Sequence, residues 1–221
     1  MTTGQQSAVS AIPQRPRLRG WLHLGTTPLV AVGGVLLVAL APNLPARIGA
    51  AVWLAGGLLL FGSSAAYHLG NWTPATKAAL RRLDHANIFV FIAATYTPLA
   101  LALLPASEAT KLLVVIWSAG LVAVGVRVFW NTAPRWLEVA CYLAMGWAGL
   151  AWLPAFWANG GPLVVGLIGL GGVFYTVGAV IYGRKRPDPS PTWFGFHEVF
   201  HACTIAAAAC HFAAIAVAIF H

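Results

Sequence analysis

Apolar residues along this chain come in long unbroken runs, without the alternation of a half-buried strand or the one-sided stripe of a surface helix. Seven runs, at 22–41, 47–69, 83–104, 111–130, 136–157, 162–183 and 198–220, are each long enough to cross a bilayer, whose core takes about 20 residues of helix. Barrel strands would alternate apolar and polar over about 10 residues, and these runs do not. Helices satisfy their own backbone in lipid, so the pattern predicts an all-α membrane protein, a seven-transmembrane-helix bundle. Turn-forming residues mark the breaks: Pro42 and Pro45, Gly70 with Pro74, Pro105, Asn131 with Pro134, Asn159 through Pro162, and Pro187 through Pro191. The links are too short for an extramembrane domain, and no internal repeat suggests two related halves. Residues 1–20 read as a polar basic tail with no apolar run of signal-peptide length, and 21–221 as a single transmembrane domain.

Composition agrees: 59% of residues are hydrophobic and 8% charged, against about 25% charged in soluble domains. The formal charge of +8 does not point to nucleic acid, because the basic residues sit in short links with no interleaved aromatic patch. Their distribution instead gives orientation. Arg15, Arg17, Arg19, Lys77, Arg81, Arg82, Arg127, Arg135, Arg184, Lys185 and Arg186 fall on the side of the N-terminus, with Arg47 and Lys111 opposite. This asymmetry puts the N-terminus in the cytoplasm and the C-terminus outside. Cys141, Cys203 and Cys210 lie in apolar runs and read as small packing residues.

Ionisable groups inside spans cost at least ~2.5–3.5 kcal/mol at a helix centre and therefore point to function. They are His68 with Ser64 in the second run, Asp84 and His85 at the start of the third, Glu138 in the fifth, and His197, Glu198, His201 and His211 in the seventh. With the predicted topology, the second helix ends, and the third and seventh begin, at one membrane depth. His197 and His201, at i and i+4, share a helix face about 5–6 Å apart. That spacing suits two imidazoles on one Zn²⁺, and His68 supplies the third. Three histidines leave a fourth position for water, the pattern of a catalytic site. Asp84 would hold that water or accept its proton. A plainer reading pairs Asp84 with Arg81 or a helix N-terminus.

His197-Glu198-Val199-Phe200-His201 also matches H-E-x-x-H, in which the Glu is the base of a metalloprotease. Here the motif opens the last run, so no later segment supplies a further carboxylate. Glu198 is rotated by roughly 100° from His197 and would face a neighbouring helix or the aqueous boundary. His211 lies roughly 21 Å further along the helix, too far to share the metal, and reads as packing with an internal hydrogen bond. His85 points elsewhere as an interfacial or supporting residue, Glu138 reads as solvated near a membrane face, and the ten tryptophans are interfacial anchors and packing.

Four stretches together resemble the hemolysin III family, the bacterial branch of the progestin and adiponectin receptor superfamily. They are Phe61-Gly-Ser-Ser-Ala-Ala-Tyr-His68; Arg82-Leu-Asp-His-Ala-Asn-Ile88 with Tyr96-Thr-Pro98; Gly171-Gly-Val-Phe-Tyr-Thr-Val-Gly178; and Gly195-Phe-His-Glu-Val-Phe-His201. The tail and the 105–165 region match only in hydropathy, and Ala94 stands where the family pattern has Gly. The resemblance implies a seven-helix bundle in the bacterial cytoplasmic (inner) membrane, a zinc site on His68, His197 and His201, and Ser64 and Asp84 around the zinc-bound water. It implies that Glu198 is incidental. The receptor branch looks like zinc-dependent lipid amidases of ceramidase type, and the bacterial branch is linked to membrane lipid homeostasis.

The leading expectation is a zinc-dependent hydrolase of a membrane lipid amide or ester, with the lipid as partner and Asp84 and Ser64 as catalytic residues. The alternatives are a non-catalytic sensor or regulator pinned by zinc and a haemolysin-type pore former. The scarcity of charge along the helices argues against a wide aqueous pore.

Overall fold

The computed structural model describes residues 16–130 and 132–220; within them every regular element is helical, apart from one isolated bridge between Ser190 and Phe194. Most of the basic tail, including Arg15, lies outside the described residues, as do the Asn131 break and His221. Helix α1 spans Trp21–Leu40, α2 Leu44–Leu69, α3 Pro74–Leu103 and α4 Ala106–Phe129. Then α5 (Arg135–Trp147), a 3₁₀ turn (Ala148–Trp152) and α6 (Leu153–Arg184) form one run, and α7 spans Phe196–Phe220.

Among the described residues, six stretches are long and apolar enough to cross a membrane, where the sequence pattern predicts seven. The expected spans 136–157 and 162–183 run together as the 50-residue stretch Arg135–Arg184. The reason is local. At the expected break, Gly161 takes φ 70° and ψ −179° inside α6, a conformation that only a residue without Cβ adopts freely. Pro162 follows it, with its φ already suited to restarting a helix. The chain therefore changes direction without a loop.

A second difference concerns α3, which starts at Pro74 and not at 83. Thr73 caps it by accepting from the Thr76 N–H, and Pro74 fills the first turn. The turns carrying Lys77, Arg81 and Arg82 are thus helical, although too polar to register as a span. Asp84 and His85 consequently stand about three turns inside the helix, not at its start.

The apolar core gathers Trp53, Phe61, Phe91, Leu112, Ile116, Phe156 and Ile215. Small residues let α2 and α3 approach closely: a Cβ built on Gly56 would fall 2.6 Å from Ala94 Cβ. Ala94 is therefore accommodated by a glycine on the facing helix. Side chains such as Leu29 of α1 and Val122 of α4 are exposed, at 72% and 67%, and give the bundle an apolar outer surface suited to lipid. The three cysteines are free. Glu138 departs from expectation. It is buried, with Oε1 3.1 Å from Nε of Arg127, which is buried as well. The last turn of α4 and the first of α5 bring the two together, and a charge removed from water needs a partner.

Candidate metal centre

Three helix ends meet to form this site. Helix α2 stops just after His68, where the Gly70 N–H and Trp72 Nε1 both donate to the Ala66 carbonyl, at 3.1 and 2.8 Å. Helix α7 opens just before His197. The Gly195 N–H donates to Glu198 Oε2 and the Phe196 N–H to Asp188 Oδ1, both at 2.8 Å, so N–H groups that a helix start leaves without partners are satisfied. Gly20, at φ 87°, leads into α1 against His68; a Cβ there would meet His68 Cβ at 2.7 Å.

The i, i+4 spacing places the His197 and His201 ring centroids 4.5 Å apart, and that of His68 lies 4.9 and 5.3 Å from them. One nitrogen from each of His68, His197 and His201 lies within 4.8 Å of the other two, and the Nε2 atoms of His68 and His197 are 3.2 Å apart. Two nitrogens each ~2.0–2.1 Å from a tetrahedral ion would be separated by about 3.3–3.4 Å. The three histidines therefore fit a metal ion. Imidazole donors suit zinc, copper, iron or nickel alike, so the donor set by itself leaves the metal's identity open.

Helix α3 brings Asp84 to this group, with Oδ2 4.0 Å from His68 Nε2 and 3.7 Å from His85 Nδ1. Asp84 is 8% exposed. Ser64, one turn before His68, is buried, with its Oγ beside the Asp84 carboxylate but outside regular hydrogen-bond geometry. Ser64, Asp84, His197 and His201 line one pocket of about 20 Å³, enough for a single water-sized group, which needs about 10–15 Å³. His85, expected to point elsewhere, lines the same pocket while its ring nitrogens contact the Arg81 carbonyl at 2.7 Å and the Tyr182 hydroxyl at 3.2 Å.

Glu198 is fully buried and directed away from that pocket: one carboxylate oxygen accepts from Gly195 and the other pairs with Arg19. The literal H-E-x-x-H match thus uses its carboxylate to start α7 and to hold the chain before α1. That chain is further strapped down by Arg17 N–H to Thr192 O at 2.9 Å and Leu18 N–H to Trp193 O at 3.2 Å. His211 sits apart, with Nε2 3.2 Å from the Ile168 carbonyl, as packing with an internal hydrogen bond.

One site residue escapes the sequence reading. His23 of α1 is 3% exposed, lines the same pocket, and has no hydrogen-bond partner at either ring nitrogen. A signal was present, because His23 lies two residues inside the first helix, at the end that the predicted topology assigns to the depth of His68 and His197.

Next to the small polar pocket lies a second, apolar cavity of about 200 Å³ between α3, α5, α6 and α7, with Phe91, Ile92, Phe156, Val165 and Ile168 in its wall. The two share Leu60, Ile88, Tyr142, Phe200 and Thr204 as lining.

The sequence matches the family described as "Haemolysin-III related" over residues 12–212, and the chain belongs to that family. It is 34% identical over 122 residues to a "Hemolysin-3 homolog" of Bacillus subtilis (strain 168), covering 55% of this chain and 57% of the relative. It is 28% identical over 124 residues to a "Hemolysin-3" of Bacillus cereus, covering 56% and 57%. The matches thus span a little over half the length of these curated relatives.

Proposed function

We propose that this member of the haemolysin III family is a zinc-dependent hydrolase that cleaves an amide or ester bond of a membrane lipid and serves membrane lipid homeostasis. The supporting observation is adjacency: the three converging imidazoles adjoin a water-sized pocket, lined by His197, His201, a buried carboxylate and a buried hydroxyl, that shares a wall with a 200 Å³ apolar cavity. An acyl chain in the cavity would present its carbonyl at the shared wall, beside the histidines.

Zinc held by His68, His197 and His201 would polarise that carbonyl and lower the pKa of an attacking water. Asp84 orients the water and takes its proton. Glu198 is not free to do so, since Gly195 and Arg19 occupy its oxygens. Ser64 Oγ donates a hydrogen bond to the oxygen on which negative charge develops. The apolar side chains of the shared wall exclude bulk water from the reacting bond.

The same reading makes residues 21–221 one transmembrane domain with seven crossings in the cytoplasmic membrane. A helix of 50 residues would be about 75 Å long, against about 30 Å of hydrocarbon, so Gly161 divides Arg135–Arg184 into two spans. The N-terminus is then cytoplasmic and the metal group lies near the cytoplasmic face. Arg127 is neutralised by Glu138, and the basic asymmetry survives without it.

The test is hydrolysis of ceramide and of ester phospholipids by the purified full chain, with and without chelator, for wild type and Asp84→Asn. Product release that chelator abolishes is the expected result, with turnover lower by ~10²–10⁴-fold in Asp84→Asn at unchanged zinc content. Bound zinc without turnover, but with a chelator-sensitive melting temperature, would support the zinc-pinned sensor instead. Dye leakage from vesicles would support a haemolysin-type pore former instead.

A further inference from the structure

A histidine that binds a metal through one ring nitrogen almost always donates the other N–H to a carboxylate, carbonyl or water, which fixes the ring's rotation. His201 lacks such a partner: its Nδ1 is buried and makes no hydrogen bond. Another side chain holds the ring. His23 lies face to face with His201, ring centroids 3.7 Å apart and planes 12° from parallel. Phe61, fully buried, also packs on His23, in a T-shaped pair with ring centroids 5.0 Å apart and planes at 88°. His23 thus packs on both Phe61 of α2 and His201 of α7.

We propose that His23 is a positioning residue for the metal centre, which sets the ring plane of His201 by stacking where a hydrogen bond would ordinarily do so. This inference rests on the metal reading of the site given above. With Nδ1 sealed in the packing, Nε2 is the nitrogen left to His201 for a metal, and rotation about χ2 is what would swing it away. A flat ring parallel to His201 resists that rotation directly, since tilting either ring drives it into the other.

Direct ligation by His23 is disfavoured by the same geometry. Among the described residues, the nitrogens that converge within 4.8 Å belong to His68, His197 and His201. A metal lies near the plane of each imidazole that binds it, and two parallel rings 3.7 Å apart do not share an ion in both planes. The stack therefore separates ligand from support. It also gives α1, which contributes no nitrogen to the converging group, a role in the metal centre.

The experiment compares His23→Phe, which keeps a flat ring, with His23→Leu, which fills the space without one. Zinc affinity of the purified full chain is read by chelator competition, and ligand geometry by the visible absorption of the cobalt-loaded protein. Circular dichroism and melting of the metal-free proteins check folding. The expected result is that His23→Leu loses about 10–100-fold in zinc affinity, as removal of ligand-orienting partners does. His23→Phe should stay near wild type with an unchanged cobalt spectrum. Wild-type affinity in His23→Leu would overturn the proposal. So would a His23→Phe protein that folds but loses as much affinity as His23→Leu, or changes its cobalt spectrum, since either would make His23 a ligand or polar partner. If His23→Leu fails to fold, the Phe variant alone decides. Wild-type protein that takes up neither zinc nor cobalt would overturn the metal reading, and the His23 assignment with it.

Discussion

The side-chain amide of Asn87 on α3 donates to the Leu59 carbonyl of α2 at 3.1 Å, and to Ser63 Oγ at 2.9 Å. Leu59 lies in a π-helical turn, Leu58–Gly62, inside α2. Such turns widen the helix by one residue and recur at functional sites. This one immediately precedes Ser64 and His68, and Asn87 stands one turn beyond Asp84. The bond therefore ties the register of the helix carrying a metal-ligand candidate to that carrying the carboxylate. Asn87→Leu leaves Leu59 O and Ser63 Oγ without this donor, while each keeps another partner, which should cost about 0.5–1.5 kcal/mol and lower the melting temperature. Asn87→Asp should be at least as damaging, because a carboxylate has no N–H to give. An unchanged melting temperature in both would show that the tie is not needed.

Replacement of the three histidines tests the metal group directly. His68→Ala, His197→Ala and His201→Ala should each lose most bound metal, since each leaves two imidazoles where three converge. Elemental analysis of the purified variants reads this, and full metal content in all three would remove the site.

Glu198 should matter for stability and not for metal. Its carboxylate accepts from the Gly195 N–H and pairs with Arg19 in a fully buried position. Glu198→Ala should cost about 1–3 kcal/mol for the partners left behind and lower the melting temperature, with metal per chain unchanged. A variant that melts normally but loses its metal would reverse this assignment.

The buried pair of Arg127 and Glu138 makes a fourth expectation. Removing one partner of such a pair typically costs about 3–5 kcal/mol, whereas replacing both with apolar groups is often neutral. Glu138→Leu alone should sharply lower thermal stability, and Arg127→Met with Glu138→Leu should recover most of the loss. Additive losses in the double variant, measured by melting, would show that the two charges do not act as a pair.

Topology can be read with reporters. With seven crossings, a periplasmic-active reporter fused after Phe220 should work, and one fused after Trp130, beyond the fourth crossing, should not. Activity in the opposite pattern would exclude the seven-span arrangement.

The spans were legible in the sequence because a bilayer demands about 20 consecutive apolar residues wherever a helix crosses it. The i, i+4 pair of His197 and His201 was legible because the helical period alone puts both on one face. Depth was legible too: His68 ends one apolar run and His197 opens another, and the structure brings them together. What the pattern missed is of another kind. Gly161 breaks the helix where Asn159 through Pro162 mark it, but it does so by a kink without a loop, a backbone detail that hydropathy does not report. Thr73 starts α3 in a stretch too basic to look like a span. His23 against His201, Arg19 against Glu198 and Arg127 against Glu138 each join residues from different helices or their flanks. Hydropathy reports position along the membrane normal, while the rotation of each helix about its own axis is set by packing against its neighbours. The sequence by itself thus determined which residues share a depth, and only the tertiary structure decided which of them face one another.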